Sequence, residues 1–144
     1  MRITQEADYA VRIINCLSRS GKRMDARNIS EKTGVTLRFT LKILRKLGLS
    51  KIVVSFKGVQ GGYELMRDPS KINLCEVIES VDGPIKINRC LEEDHPCSKT
   101  GEGANCYFHN IFAEVSKMVR DHLLAISFAD VPPCHEKAIV KNKD

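Results

Sequence analysis

Three cysteines and a histidine lie in one short segment of the chain, from Cys90 to His109. Six residues separate Cys90 from Cys97, eight separate Cys97 from Cys106, and two separate Cys106 from His109. The residues between them are mainly charged, polar or glycine, so burial of apolar area can contribute little to ordering this segment. Thiolate and imidazole are ligands of iron and zinc. The segment therefore predicts a loop that is organised by a bound metal centre.

Length and composition indicate a folded protein of the cytoplasm. A chain of 144 residues that is 42% hydrophobic can bury the core of one domain. Its longest apolar run is far below the roughly 18 residues of a membrane span, and its start lacks the apolar centre of a signal peptide. We therefore expect no membrane segment and a reducing compartment, in which clustered thiols indicate metal or redox chemistry.

The three other cysteines are interpreted differently. Cys16 and Cys75 fall on helical patterns and are predicted to be small core residues. Cys134 is followed by His135 in a short segment after two prolines, and we interpret it as part of a mobile tail and not as a ligand.

Basic residues are concentrated in the middle of the chain. The net charge is +5, yet positions 32 to 62 contain seven basic residues and no acidic residue. These are Lys32, Arg38, Lys42, Arg45, Lys46, Lys51 and Lys57. Such a block is typical of a surface that binds a polyanion, and a solvated helix face is the alternative.

The basic block coincides with a helix-turn-helix pattern. Thr4 can cap a first helix with apolar residues at the helical period, and Asp25 can cap a short second helix that Gly34 closes. Thr36 starts a third helix. The inner face of the third helix comprises Ile43, Leu44 and Leu47, and its outer face comprises Arg38, Lys42 and Arg45. The outer face is predicted to enter a groove of DNA.

A β-hairpin, or wing, is predicted after the third helix. Residues 52–56 are rich in β-formers, residues 57–62 form a turn cluster, and residues 63–65 resume strand character. Glycines at the tip leave room for a backbone to approach phosphates, although a flexible turn is the alternative.

Two further helices complete the pattern. Asn73 opens a capping box, and its helix is stopped by Gly83. A long helix begins near Phe108, and its apolar stripe comprises Ile111, Phe112, Val115, Met118, Val119, His122, Leu123 and Ile126. The stripe is predicted to bind a second copy of the chain. The alternative interpretation is that it packs within its own subunit.

The fold class is therefore mainly α with a small β-hairpin. We predict a winged helix-turn-helix DNA-binding domain over residues 1–66, and a linking helix with the cysteine-rich loop over residues 67–107. A dimerisation helix follows over residues 108–128, and a flexible tail over residues 129–144.

These segments together resemble a known family. The residues that carry the resemblance are MRIT at 1–4, DYA at 8–10, KIL at 42–44, GVQGGYEL at 58–65, the three clustered cysteines, and ISFAD at 126–130. Over about residues 1–131 the chain resembles the iron–sulfur winged-helix regulators of the IscR, NsrR and RirA type. Two residues depart from the family pattern, since Lys57 replaces the usual wing arginine and Lys51 replaces a glycine common at the end of the third helix.

The resemblance implies a dimeric transcription regulator, and we expect a repressor. Cys90, Cys97 and Cys106 would hold an iron–sulfur cluster, 2Fe–2S or 4Fe–4S, which senses iron or cluster supply, nitric oxide or redox state. Residues expected at the major groove of a near-palindromic operator are Thr36, Arg38, Phe39, Lys42 and Arg45. Those expected to bring the wing to DNA are Lys57, Gly61 and Gly62.

Two residues are candidates for the fourth cluster ligand. His109 lies three residues after Cys106, and regulators of the IscR type have a histidine at that offset. Asp8 is the alternative, because it matches a position from which nitric-oxide-sensing relatives supply a carboxylate across the dimer.

The other function classes are less well supported by the residues. The sequence contains no nucleophile–base constellation that would indicate an enzyme. The alternative is a winged-helix DNA-binding protein in which the cysteines and His109 hold a structural zinc ion, although zinc sites favour shorter spacings.

Overall fold

The structure is a computed structural model that describes residues 2–95, 97–98 and 106–132. Its helices are α1 (Gln5–Ser20), α2 (Ala26–Thr33), α3 (Leu37–Leu49), α4 (Leu74–Asp82) and α5 (Tyr107–Leu124). Its strands are β1 (Val53–Phe56) and β2 (Gly62–Leu65), and short 3-10 helices occupy Pro69–Lys71 and Arg89–Leu91. The predicted mainly α fold with a β-hairpin is confirmed. Cys134 and His135 lie outside the described residues.

The first three helices begin at the predicted capping residues. The side-chain oxygens of Thr4, Asp25 and Thr36 each accept a hydrogen bond from a backbone amide three residues later. Such bonds satisfy amides that have no partner within the helix. Gly34 ends α2 in the left-handed conformation, with φ 70°. The helix-turn-helix connection is therefore specified by local chemistry.

One apolar core joins the three helices, the hairpin and α4. Fully or almost fully buried members of this core are Ile13, Ile14, Leu17, Ile29, Ile43, Leu44, Leu47, Ile52 and Val53. Ile72, Val77 and Phe128 belong to the same core. The segments around α4 and after α5 therefore pack directly on the winged unit.

The hairpin is attached to the connection between α1 and α2. β1 and β2 pair antiparallel, with Val53 opposite Leu65 and Phe56 opposite Gly62. Tyr63 also exchanges two backbone hydrogen bonds with Met24, at 2.7 and 2.9 Å. Met24 thereby extends the hairpin on its other edge, so the wing is held to the helical body by backbone hydrogen bonds.

The helix α5 contacts α4 through one of its faces. The Glu79 carboxylate in α4 accepts hydrogen bonds from Arg120 Nε and Nη2 at 2.9 and 3.2 Å. Burial raises the pKa of Glu79, but its hydrogen bonds with Arg120 and the Ile85 amide outweigh this and lower the pKa overall. Ser116, which is buried, accepts a hydrogen bond from the Ile87 amide at 3.0 Å. In the part of the chain that the structure describes, no helix is both long and apolar enough to span a membrane.

Candidate nucleic-acid interface and metal-binding loop

The helix α3 has a buried apolar face and an exposed basic face. Its buried residues are Thr40, Ile43, Leu44 and Leu47. Its exposed residues include Arg38, Lys42 and Arg45, with the capping residue Thr36 exposed at its start. The predicted division of this helix is confirmed, and the three basic side chains lie on the solvent side.

The Phe39 side chain packs against α1. Its ring meets the Tyr9 ring edge-on, with centroids 5.9 Å apart and an interplanar angle of 65°. The Lys42 ammonium lies 5.9 Å from the centre of the Phe39 ring. Phe39 is 39% exposed, so the ring contacts Tyr9 and also remains accessible to solvent.

Sequence reasoning missed an acidic residue beside the basic face. Glu6 in α1 accepts hydrogen bonds from the ammonium groups of Lys42 and Lys46, the latter at 2.6 Å. The stretch from 32 to 62 has no acid along the chain, but Glu6 lies 36 residues before Lys42 and is brought to it by folding. The sequence contains one indication of this contact. Glu6 directly precedes Ala7, which lies on the buried face of α1.

The two wing glycines are required by the local backbone. A Cβ atom on Gly61 would lie 2.4 Å from the Phe56 carbonyl oxygen. Gly62 has φ +141°, and its Cβ atom would lie 2.7 Å from the Met24 carbonyl oxygen. These contacts give a steric reason for both glycines that neither sequence-based explanation included. Lys57 is exposed before this turn.

The wing is also braced by an arginine. The Arg23 guanidinium stacks over the Phe56 ring at 3.4 Å, and its Nη1 donates to the Gln60 carbonyl at 3.0 Å. Stacking and hydrogen bonding by one planar group fix the hairpin tip relative to the body.

Lys51 occupies a position that favours glycine. Its φ is 56°, in the left-handed region, immediately after α3. The Ile52 amide donates to the Leu47 carbonyl at 3.0 Å, which closes the helix end in the manner of a Schellman motif. A lysine in this conformation costs about 1 kcal/mol relative to glycine.

The predicted metal ligands are all among the described residues. Cys90, Cys97, Cys106 and His109 are each half-buried. Among the described residues, no three His, Cys, Asp or Glu side chains are grouped so that they could hold a metal ion. The predicted ligands are therefore not gathered into a site.

The chemistry of the donors nevertheless fits an iron–sulfur cluster. The Nδ1 atom of His109 is buried and has no hydrogen-bond partner among the described residues. A buried polar atom without a partner is costly, and a metal is one group that would satisfy it. Cys106 is the N-cap of α5, where the helix dipole favours an anionic ligand such as a thiolate. The three thiols and the imidazole are therefore the kinds of ligand that hold an iron–sulfur cluster.

The remaining cysteines and Asp8 have other environments. Cys75 is fully buried, as predicted, whereas Cys16 is only partly buried and packs at the edge of the core. Burial raises the pKa of both thiols, which keeps them protonated. The Asp8 carboxylate is half-exposed and pairs with Arg12, one turn later in α1, at 2.7 Å.

The fold and the basic helix define a winged helix-turn-helix protein. The Rrf2 family, described as "Iron-dependent Transcriptional regulator", matches residues 3–132. The chain belongs to the Rrf2 family of DNA-binding transcriptional regulators. The relatives are regulators and not enzymes, which confirms that prediction.

Individual relatives cover most of the chain. ORF2, a candidate HTH-type transcriptional regulator of Azotobacter vinelandii, is 30% identical over 133 residues, which cover 91% of this chain and 79% of ORF2. IscR of Xenorhabdus nematophila is 28% identical over 133 residues, which cover 91% of this chain and 79% of that IscR. The resemblance to regulators of the IscR type is confirmed by such relatives.

Solved structures show the same fold. The structure of T. potens IscR matches with a TM-score of 0.70 at 20% identity, covering 90% of this chain and 85% of that one. The structure of CymR, the global cysteine regulator of B. subtilis, matches with a TM-score of 0.72 at 19% identity. The match covers 90% of this chain and 95% of CymR. At these identities the similarity establishes the fold alone.

The steric role of Gly62 leads to a first prediction. Gly62→Ala should lower the free energy of unfolding by more than about 1 kcal/mol, since its Cβ atom meets the Met24 backbone and its φ is unfavourable for alanine. Gly48→Ala is the control. A Cβ atom there would make only an ordinary van der Waals contact, 3.8 Å from the Val53 carbonyl oxygen, and alanine favours the helix. Urea denaturation measures both, and equal stability of parent and Gly62→Ala would contradict the steric role.

Proposed function

We propose that this protein is a homodimeric, cytoplasmic repressor whose affinity for operator DNA depends on an iron–sulfur cluster. The observation that carries the proposal is the exposed basic face of α3 beside a braced wing, in a chain whose separate loop supplies three thiols and an imidazole. The Rrf2 description and the IscR relatives support an iron-dependent signal.

The DNA contacts follow from the exposed face. Arg38, Lys42 and Arg45 project from α3 and would contact base edges and phosphates of the major groove, together with Thr36 and Phe39. Lys57 and the backbone at Gly61 and Gly62 would bring the wing to the adjacent backbone or minor groove. In a two-fold symmetric dimer the half-sites would lie about one helical turn, roughly 34 Å, apart.

The cluster would be held by Cys90, Cys97, Cys106 and His109. Bound there, an iron–sulfur cluster supplies a group whose loss or change of oxidation state responds to iron, nitric oxide or oxidants. The protein's part is to hold one donor on α5 and to bring three thiols to it from the preceding loop and the helix start. Because the loop connects α4 to α5, holding its thiols on a cluster would change how α5 is placed on the body.

The dimer contact is proposed on the exposed side of α5. Phe108, Ile111, Val115 and Met118 follow the 3-4-3 spacing of a coiled-coil seam and are 66, 37, 38 and 63% exposed. Phe112, Val119 and Leu123 are half-buried on the side that faces the body. The predicted stripe therefore divides into an inner half and an outer half, and the outer half is available to a second copy.

The DNA interface is tested with a duplex selected from a random pool by the parent protein and an unrelated duplex of equal length. Arg38→Ala and Lys42→Ala should each weaken binding of the selected duplex by about 1–3 kcal/mol where the side chain reads a base. Lys57→Ala should weaken both duplexes and reduce the slope of log affinity against log salt by about 0.9.

Lys117→Ala is the matched control, because Lys117 is an exposed lysine on α5 that pairs with Asp121. Fluorescence anisotropy measures the four variants. Unchanged affinity in the three α3 and wing variants would show that the face is assigned wrongly.

The dimer is tested by placing a charge in the seam. Val115→Glu should give monomers or insoluble protein, because two carboxylates would be buried at the symmetric contact. Asn110→Glu places the same charge on the opposite, polar side of α5 and should leave the dimer intact. Light scattering distinguishes the two states, and a folded dimeric Val115→Glu variant would move the contact elsewhere.

The ligand set is tested on protein purified without oxygen, by visible absorption and by iron, sulfide and zinc content. Iron with equimolar sulfide is expected, whereas zinc without sulfide would support the structural-zinc alternative. His109→Ala should make the cluster more labile to oxygen, since its buried Nδ1 atom is then lost as a ligand. Asp8→Ala should behave as the parent. The reverse pattern would assign the fourth ligand to Asp8.

A further inference from the structure

One carboxylate lies between two lysines of the proposed recognition helix. Glu6, in the first turn of α1, accepts a hydrogen bond from Lys42 and another from Lys46. The two lysines are four residues apart on α3, so their ammonium groups are neighbours and repel each other. Glu6 offsets this repulsion and holds both side chains toward α1.

The carboxylate of Glu6 is ionised at neutral pH. Its hydrogen bonds with Lys42 and Lys46 hold its pKa below the usual value. The acid therefore cancels part of the positive charge that α3 would otherwise present to any polyanion.

The two lysines differ in exposure. The side chain of Lys42 is 52% exposed and that of Lys46 is 35% exposed, while the Glu6 side chain is 26% exposed. Lys42 can turn to a DNA group by giving up Glu6, and Lys46 would still hold the carboxylate in place. A contact between Lys42 and DNA must then compete with an existing ion pair. Lys42 is also near the Phe39 ring, which restricts where its ammonium group can move.

We propose that Glu6 is a positioning residue of the DNA interface, which holds Lys42 and Lys46 toward α1 and thereby weakens binding to every DNA sequence that these lysines contact. Non-specific binding depends on the number of phosphates that lysine and arginine neutralise, whereas specific binding adds base contacts. Breaking the ion pair costs the same free energy in either complex, so the carboxylate weakens every complex in which Lys42 leaves Glu6 for DNA. The inference rests on the proposed role of Lys42 at the interface.

Glu6→Gln tests the inference, because glutamine keeps the size of the side chain and removes its charge. The variant should bind the unrelated duplex about two- to five-fold more tightly at low salt, the range expected for loss of an exposed ion pair. Its salt slope on that duplex should steepen by about 0.9 for each lysine set free. Affinity for the selected duplex should rise at least as much, because Lys42 leaves Glu6 in that complex of the parent protein and the full cost of breaking the ion pair is then removed.

Glu114→Gln is the matched control, since Glu114 is an exposed acid on α5 and its loss changes net charge equally. It should leave the salt slope unchanged. In a Lys42→Ala background the effect of Glu6→Gln should shrink, because one of the two lysines that it releases is absent. Circular dichroism melting verifies that each variant is folded.

The outcomes separate this inference from the proposed interface. If Lys42→Ala weakens DNA binding but Glu6→Gln leaves the salt slope and the affinity for both duplexes as in the parent, Glu6 has no role in DNA binding and the interface stands. If Lys42→Ala itself binds both duplexes as the parent does, the interface assignment fails first. An equal effect of Glu114→Gln and Glu6→Gln would reduce the result to net charge and overturn the specific role of Glu6.

Discussion

Burial of one face of α1 is the interaction on which the rest of the structure depends. The face comprises Ala7, Ala10, Ile13, Ile14 and Leu17, each at most 2% exposed. The helices α2, α3 and α4 and the strand β2 all contact α1. Its two alanines are small enough to let neighbouring helices approach closely. The proposed recognition helix α3 and the helix α4, which leads to the cysteine loop, are thus both positioned against the same element.

Side chains at the start of α1 contact both of these regions. On one side, Glu6 contacts Lys42, and Tyr9 contacts Phe39. At the helix start, Thr4 bonds through its amide, at 3.2 Å, and its hydroxyl to the Asp82 carboxylate at the end of α4. A contiguous path of contacts therefore runs from the segment before the cysteine loop to the basic face of α3. In the proposed mechanism, regulation along such a path requires two arrangements of the α4–α5 region that differ in their affinity for the proposed cluster.

Sequence reasoning succeeded where the determinant of a structure is local. The caps at Thr4, Asp25, Thr36 and Asn73 and the helical period of the apolar residues placed the elements correctly, because each signal lies within a few residues of its effect. Determinants that join distant residues were not found. The bonds between Met24 and Tyr63, and those from Lys42 and Lys46 to Glu6, connect residues about 40 positions apart. No pattern along the chain records such a contact.

The cysteine loop shows a different limit. Its ligands could be proposed from residue type and spacing, yet no three of them are grouped among the described residues. A polar loop has little apolar area to repay the entropy of ordering. Metal binding supplies that free energy in sites that do not exist beforehand. His109 is different, since α5 already holds it with Nδ1 buried. The helix α5 thus already fixes one donor of the proposed site, and cluster binding would supply the free energy that brings the thiols to it.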